Sequence, residues 1–167
     1  MKIYLTTDTH FNHVDKMIEY CNRPKNYEVK IIQDFQLLKD TDLLIHLGDI
    51  CIGNDLTIHN EIIERLSCRK VLVKGNHDRK SNNWYMAHGW DFVCDYFSMK
   101  RHNKQILFSH IPRVWDGYYD INIHGHFHNA NYRRWEDIYK KAYNAGQKLL
   151  ALEYNNYKLF NLDKVLS

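Results

Sequence analysis

Short polar blocks interrupt the apolar runs of this 167-residue chain, and their residue types define the chemistry within its reach. "DTH" sets Asp8 and His10 two apart after the run Ile3 to Leu5, and "GD" sets Asp49 after a run ending at Leu47. "VLVKGNHD" passes from an apolar stretch straight into Gly75, Asn76, His77 and Asp78, while "SH" supplies His110 and "HGHFH" supplies His126 and His128. Each polar side chain named offers an oxygen or an imidazole nitrogen. Side chains two apart in an extended segment share a face. Asp8 with His10, and His126 with His128, are therefore expected to aim two donors each into one pocket.

Seven donors, Asp8, His10, Asp49, Asn76, His110, His126 and His128, exceed the needs of one ion. They suit two divalent ions such as Mn, Fe, Zn or Co that share a carboxylate and keep positions for water and substrate. Mn is the expected first choice. Taken singly, the blocks have plainer readings. Asp8 can be a helix N-cap with His10 in a turn. "GNHD" can be a turn with a satisfied histidine, and "HGHFH" a surface tract. Their joint occurrence at successive ends of apolar runs is what favours a site.

The elements that must position these donors read as alternating. Apolar runs at 2–7, 42–47, 70–75, 91–97, 105–110 and 120–125 predict strands. Segments at 13–21, 28–40 and 55–67 keep apolar residues on one face and predict helices. Strand and helix in alternation predict an α/β domain with a partly parallel sheet. After residue 90 the strands come closer together, which predicts a second, more antiparallel sheet over the same core. Residues 133–146 predict a helix stopped by Gly146, and "KLLALEY" with "YKLFNL" a closing hairpin around Asn155 and Asn156. No linker or repeat interrupts 1–167, so one domain is expected.

Composition narrows the class. A net charge of +3 is compatible with an anionic substrate but far from that of a nucleic-acid-coating protein. Cys21, Cys51, Cys68 and Cys94 lie far apart without CxxC spacing, which predicts reduced, mostly buried thiols. The chain reaches Asp8 too soon for a signal-peptide core, and no stretch approaches about 18 apolar residues. A cytoplasmic protein with no membrane partner is expected; oligomeric state leaves no trace in the sequence.

In order, "DTH", "GD", "GNHD", "SH" and "GHFH" resemble the calcineurin-like metallophosphoesterase superfamily, over Asp8 to His128. "THFNH" and "YCNRP" are similar to a group of small, cap-less bacterial and phage phosphoesterases. The resemblance implies a four-layer α-β-β-α sandwich of two mixed sheets with a binuclear centre at the sheet edges. It implies that Asp8, His10, Asp49 and His128 hold one ion, and that Asp49, Asn76, His110 and His126 hold the other. Asp49 is then the bridge. His77 is implied as the proton donor to the leaving alkoxide, or the support of a phosphate oxygen, with Asp78 setting its tautomer. One departure is that Cys51 and Ile52 follow the "GD" block where an acidic partner would be expected, which leaves the support of Asp49 unassigned.

Two divalent ions against two carboxylates leave a net positive site that draws a phosphoryl oxygen and lowers the pKa of a trapped water toward about 7. A hydrolase for a phosphodiester or small nucleotide-type ester is therefore expected. His13, Arg23 and Arg79 are candidate contacts for the other phosphate oxygens. "VWDGYY" (114–119) and "NYRRW" (131–135) could stack a base or pack at the rim. The modest charge places a nuclease second, and a non-catalytic binding scaffold on the same fold is a further alternative. A closed structural zinc site fits poorly, because no cysteine joins the donors.

Overall fold

The computed structural model describes residues 1–114, 117–129 and 146–167. The first half runs β1 (Ile3–Thr6), α1 (Val14–Cys21), α2 (Tyr27–Phe35), β2 (Leu43–His46), α3 (Asp55–Ile58) and β3 (Arg69–Val73), with α3 prolonged by a π-turn, His59–Ile63. There follow α4 (Asn82–Ala87), β4 (Phe92–Cys94), β5 (Tyr96–Arg101), β6 (Lys104–Ser109), β7 (Ile121–His124), β8 (Gly146–Leu149), β9 (Phe160–Asn161) and α5 (Leu162–Leu166). One sheet has the order β4-β3-β2-β1-β9 and the other β5-β6-β7-β8.

Both sheets are mixed, and with their helices they form the expected α/β architecture. In the first, β1 to β4 pair in parallel and β9 is antiparallel to β1. In the second, β5 and β6 are antiparallel, while β6, β7 and β8 are parallel. The second sheet is thus less antiparallel than expected, because long crossovers join its last three strands and a parallel pair requires them.

Alternation explains how the sheets meet. Ile3 and Leu5, Ile45 and Leu47 (one residue past β2), Ile106 and Phe108, and Ile121 and Ile123 sit two apart and bury together in one inter-sheet core. Phe11, Met17, Tyr27, Ile31, Phe35 and Leu72 form a second core under the helices of the first sheet. A strand buried on both faces reads as a continuous apolar run, which is why β2 and β3 were conspicuous.

Two expected elements are rebuilt. The run 91–97 is not one strand. β4 joins the first sheet and β5 the second, with Asp95 between them. Nor do the last strands form a hairpin. β8 pairs with β7, whereas β9 pairs with β1 in the other sheet. A 3-10 turn at Leu152–Asn155 and left-handed backbone at Asn156 and Tyr157 (φ 50° and 63°) turn the chain between the two. The helix expected over 133–146 lies outside the described residues, except for Gly146, which opens β8. Among the described residues, no helix is long and apolar enough to cross a membrane.

Candidate metal centre

The carboxyl ends of β1, β2 and β3 deliver Asp8, Asp49 and Asn76; the ends of β6 and β7 deliver His110, His126 and His128. Parallel strands place all these ends at one edge of the sandwich, where open α/β sheets bind ligands. Asp8, His10, Asp49, His110 and His128 are buried, while His77 and His126 are half-buried and Asn76 is exposed.

The two-residue spacing works differently from the extended geometry expected for it. β1 ends at Thr6 and β7 at His124, and beyond them Asp8, His10, His126 and His128 adopt left-handed backbone (φ 50°, 45°, 73° and 50°), as does Asp49 (φ 58°). Buried Thr9 and Phe127 alternate with the donors and anchor each loop from within. Non-glycine residues rarely take this conformation, and it gathers at functional sites.

Each carboxylate divides its oxygens. Asp8 Oδ2 accepts from the Thr7 hydroxyl (2.5 Å) and from the His126 N–H (2.9 Å). Its Oδ1 is buried without a hydrogen-bond donor among the described residues, and faces His128 Nε2 at 3.6 Å and His10 Nε2 at 3.8 Å. Asp49 Oδ1 accepts the His77 N–H at 2.9 Å. Its Oδ2 faces His110 Nε2 at 3.4 Å, His10 Nε2 at 3.7 Å and His77 Nε2 at 4.0 Å. Asp49 Oδ2 therefore stands between the two groups of donors.

Around His110 the conflict is sharper. Its Nδ1–H donates to the Leu47 carbonyl (2.7 Å), so in the neutral ring Nε2 is a bare lone pair. That lone pair meets Asn76 Oδ1 at 3.1 Å, His126 Nδ1 at 3.1 Å and Asp49 Oδ2. The two oxygens accept, whereas His126 Nδ1 donates or accepts according to its tautomer, so a cation or a proton at this point reconciles the contacts. Burial pulls His110 down, but its bond to Asp49 and the charges of Asp8 and Asp49 hold it up at about 9. His128 is similarly raised to about 10, burial being outweighed by Asp8 and by hydrogen bonds to Cys21 and Glu153. Burial pushes Asp8 up, but His128, His110 and His10 more than offset it and hold the carboxyl well below its ordinary value. His10, dominated by burial, falls to about 3 and is neutral, with neither ring nitrogen hydrogen-bonded among the described residues.

These observations test the fit to divalent ions, and the residues fit. Asp8, His10 and His128 offer atoms within 4.8 Å of one another, and so do Asp49, His110 and His126. The backbone clears the space. A Cβ on Gly75 would collide with the Asp49 carboxylate, and one on Gly125 with Thr7 and Asp8.

Two sequence expectations are corrected. Asp78 does not address the His77 ring. Its carboxylate accepts backbone N–H groups of Asp49 (2.7 Å), Gly75 (2.8 Å) and Ile50 (3.1 Å), stitching the loop after β2 to the loop after β3. Burial pushes its carboxyl up to about 6 against those three donors. Asp78 thereby supplies the support for Asp49 that was missing from the "GD" block. Arg23 is also misplaced as a substrate contact, because its side chain is fully buried. Asn22 closes α1 in left-handed backbone (φ 52°) and turns Arg23 inward. There Arg23 pairs with Glu153 (2.7 Å) and donates to the Asp8 carbonyl (2.8 Å), behind the donors.

Glu153 carries no motif, and sequence reasoning passed over it. It lies 3.3 Å from His128 Nδ1, which Arg23 also approaches at 3.2 Å, so the Arg23–Glu153 pair holds the ring with Nε2 facing Asp8. Its only trace in the sequence is a lone acid in "KLLALEY". His46, also buried and held at about 3 by burial, is a strut: Nδ1 accepts the Gly48 N–H (3.1 Å) and Nε2 meets the Thr9 hydroxyl (3.0 Å). His13 and Arg79 line a cleft of about 510 Å³ beside His77. Of the aromatic stretches, 115–116 and 131–135 lie outside the described residues.

The chain belongs to the calcineurin-like phosphoesterase family, whose pattern matches residues 1–162. It is 30% identical to the uncharacterized protein MJ1445 of Methanocaldococcus jannaschii, over 99% of this chain and 89% of that one. The crystal structure of AQ665 from Aquifex aeolicus, a protein of unknown function, superposes with a TM-score of 0.76 at 27% identity, covering 98% of this chain and 97% of that chain. A novel archaeal phosphodiesterase shares the fold, with a TM-score of 0.51 at 18% identity over 90% of this chain and 84% of its own.

Proposed function

We propose that this chain is a binuclear-metal-dependent phosphoesterase acting on a phosphodiester or small nucleotide-type ester. The convergence of two donor groups, Asp8 with His10 and His128, and Asp49 with His110 and His126, each within 4.8 Å, is the observation that carries this reading. Asp8, His10 and His128 would hold one ion, Asn76, His110 and His126 the other, with Asp49 shared. When bound, such ions supply Lewis-acid charge and lower the pKa of a water toward about 7, Mn being the first choice to test.

The protein's own residues do the rest. His77 stands 4.0 Å from Asp49 with 38% of its side chain exposed, at the boundary between the buried donors and solvent. That position lets it protonate the departing alkoxide while remaining outside the ligand set. Asp78 fixes the two loops that carry Asp49 and His77, so the spacing between shared carboxylate and proton donor is preset. Glu153 and Arg23 hold the His128 ring from its Nδ1 side. The free thiols, buried at Cys21, Cys51 and Cys68, agree with a reducing cytoplasm.

Dialysis against a chelator, then reloading with Mn, tests the proposal on bis-p-nitrophenyl phosphate and p-nitrophenyl phosphate. Turnover is expected to vanish and return, with two Mn retained per chain by atomic emission. Absence of turnover on both esters after reloading with Mn, Fe, Zn or Co overturns it.

A further inference from the structure

Two clefts meet at the loop that carries Asn76 and His77. One, of about 410 Å³, lies beside Asn76 and His110 and is walled by Lys74, Ile111 and Arg113. The other, of about 510 Å³, lies beside His77 and is walled by His13, Arg79 and Lys80. Asn76 and His77 are consecutive, so this loop forms the ridge between the clefts. Lys74 Nζ donates to the Lys80 carbonyl at 2.8 Å and clamps the loop's two ends.

Both clefts hold more cation than anion. Lys74 and Arg113 share theirs with Asp95; Arg79 and Lys80 share theirs with Asp55. Among the described residues none of these four cations stands in an ion pair; the Lys and Arg pairs that form lie elsewhere, at Lys16, Arg23 and Arg101. Arg113 is nonetheless held in place. Its guanidinium carbon sits 3.6 Å from the centroid of the half-exposed Tyr96 ring, and its backbone N–H donates to Asn122 Oδ1 at 2.8 Å. A stacked guanidinium keeps its edge donors free for phosphate.

The shape selects among esters. A phosphomonoester has one organic arm and leaves one cleft idle, whereas a diester has two. Arms that carry further phosphates match cationic clefts, and a flat ring matches the exposed Ile111 beside the Tyr96–Arg113 stack. We infer that the substrate is a single strand of nucleic acid, its scissile phosphate at Asp8 and Asp49 and its flanking phosphates at Lys74 and Arg113 on one side and Arg79 and Lys80 on the other. Each cleavage consumes one water, breaks one P–O bond and leaves one end as phosphate and the other as a hydroxyl protonated from His77. This rests on the phosphoesterase reading and reverses the ranking drawn from the net charge of +3, because the structure concentrates cations where a strand would pass.

The test compares Mn-loaded protein on pentathymidylate, thymidylyl-thymidine and bis-p-nitrophenyl phosphate. Binding is measured separately by anisotropy of a fluorescein-labelled phosphorothioate pentamer. The pentamer is expected to have a kcat/KM at least tenfold above that of the dinucleotide. Two contacted flanking phosphates give a log–log salt slope of about −1.4, or about sevenfold weaker binding over a fourfold rise in salt. Arg113→Ala and Arg79→Ala, both exposed, are each expected to lower kcat/KM on the pentamer about fivefold more than on bis-p-nitrophenyl phosphate. A pentamer bound no tighter than the dinucleotide, or equal losses on both substrates, overturns the inference. If bis-p-nitrophenyl phosphate is hydrolysed and the pentamer is neither bound nor cleaved, this inference alone falls. If no ester is turned over, the phosphoesterase reading falls, and pentamer binding lost in Arg113→Ala still decides whether the clefts hold a strand.

Discussion

Glu153 shows how much of the candidate site rests on a residue outside the proposed ligand set. It meets both Arg23 and His128, and Arg23 in turn reaches the carbonyl of Asp8. A carboxylate that fixes a ligating imidazole typically accounts for ten- to a hundredfold in metal affinity. Glu153→Gln keeps an acceptor but removes the charge opposite a buried guanidinium. We expect it to weaken Mn binding by about tenfold in calorimetric titration and to lower stability by about 3 kcal/mol. Unchanged affinity in a folded variant would leave Glu153 a structural partner of Arg23 alone.

Among the elements, the loops that follow the strands matter more than the strands. Gly125 passes so close to Thr7 and Asp8 that any side chain would displace them. Gly125→Ala is expected to lower turnover by about a hundredfold through misplacement of Asp8, and two Mn bound with wild-type affinity would contradict this. These loops also mark how far the sequence could be read. The donors were legible because each follows an apolar run that must be a buried strand, and polar residues at such a boundary need a reason. Long-range choices were not. Whether 91–97 forms one strand or two depends on which sheet captures Tyr96, and the partner of Phe160 is set by a strand more than 150 residues earlier. Asp78 was visible, but its acceptance of three backbone N–H groups depended on two loops meeting. Arg23 looked like a surface contact until the left-handed turn at Asn22 drew it inside.

At the scale of the whole molecule, the histidines set opposing dependences on pH. His110 and His128 have folded values raised to about 9 and about 10, so in the metal-free protein their contribution is full below the unfolded value of about 6.5 and fades as pH rises through 9 and 10. His10, His46 and His124 are lowered to about 3, 3 and 4, so their contribution is full above about 6.5 and fades as pH falls through 4 and 3. The metal-free protein is expected to be most stable near pH 6.5, losing on the order of 1 kcal/mol per pH unit per histidine on the alkaline side. Mn bound at the proposed site would displace those protons and restore the alkaline loss. A melting temperature of the metal-free protein that stays flat from pH 6.5 to 9 would refute this. The left-handed backbone at Asp8, His10, Asp49, His126 and His128 bears on what such a protein becomes under selection. Each such posture in a residue other than glycine costs roughly 1–2 kcal/mol, somewhat less for aspartate. In a screen that rewards heat resistance and withholds metal, glycine and asparagine should spread first at the three histidines. The survivors would be sturdier and inert, since durability and usefulness compete for the same torsions.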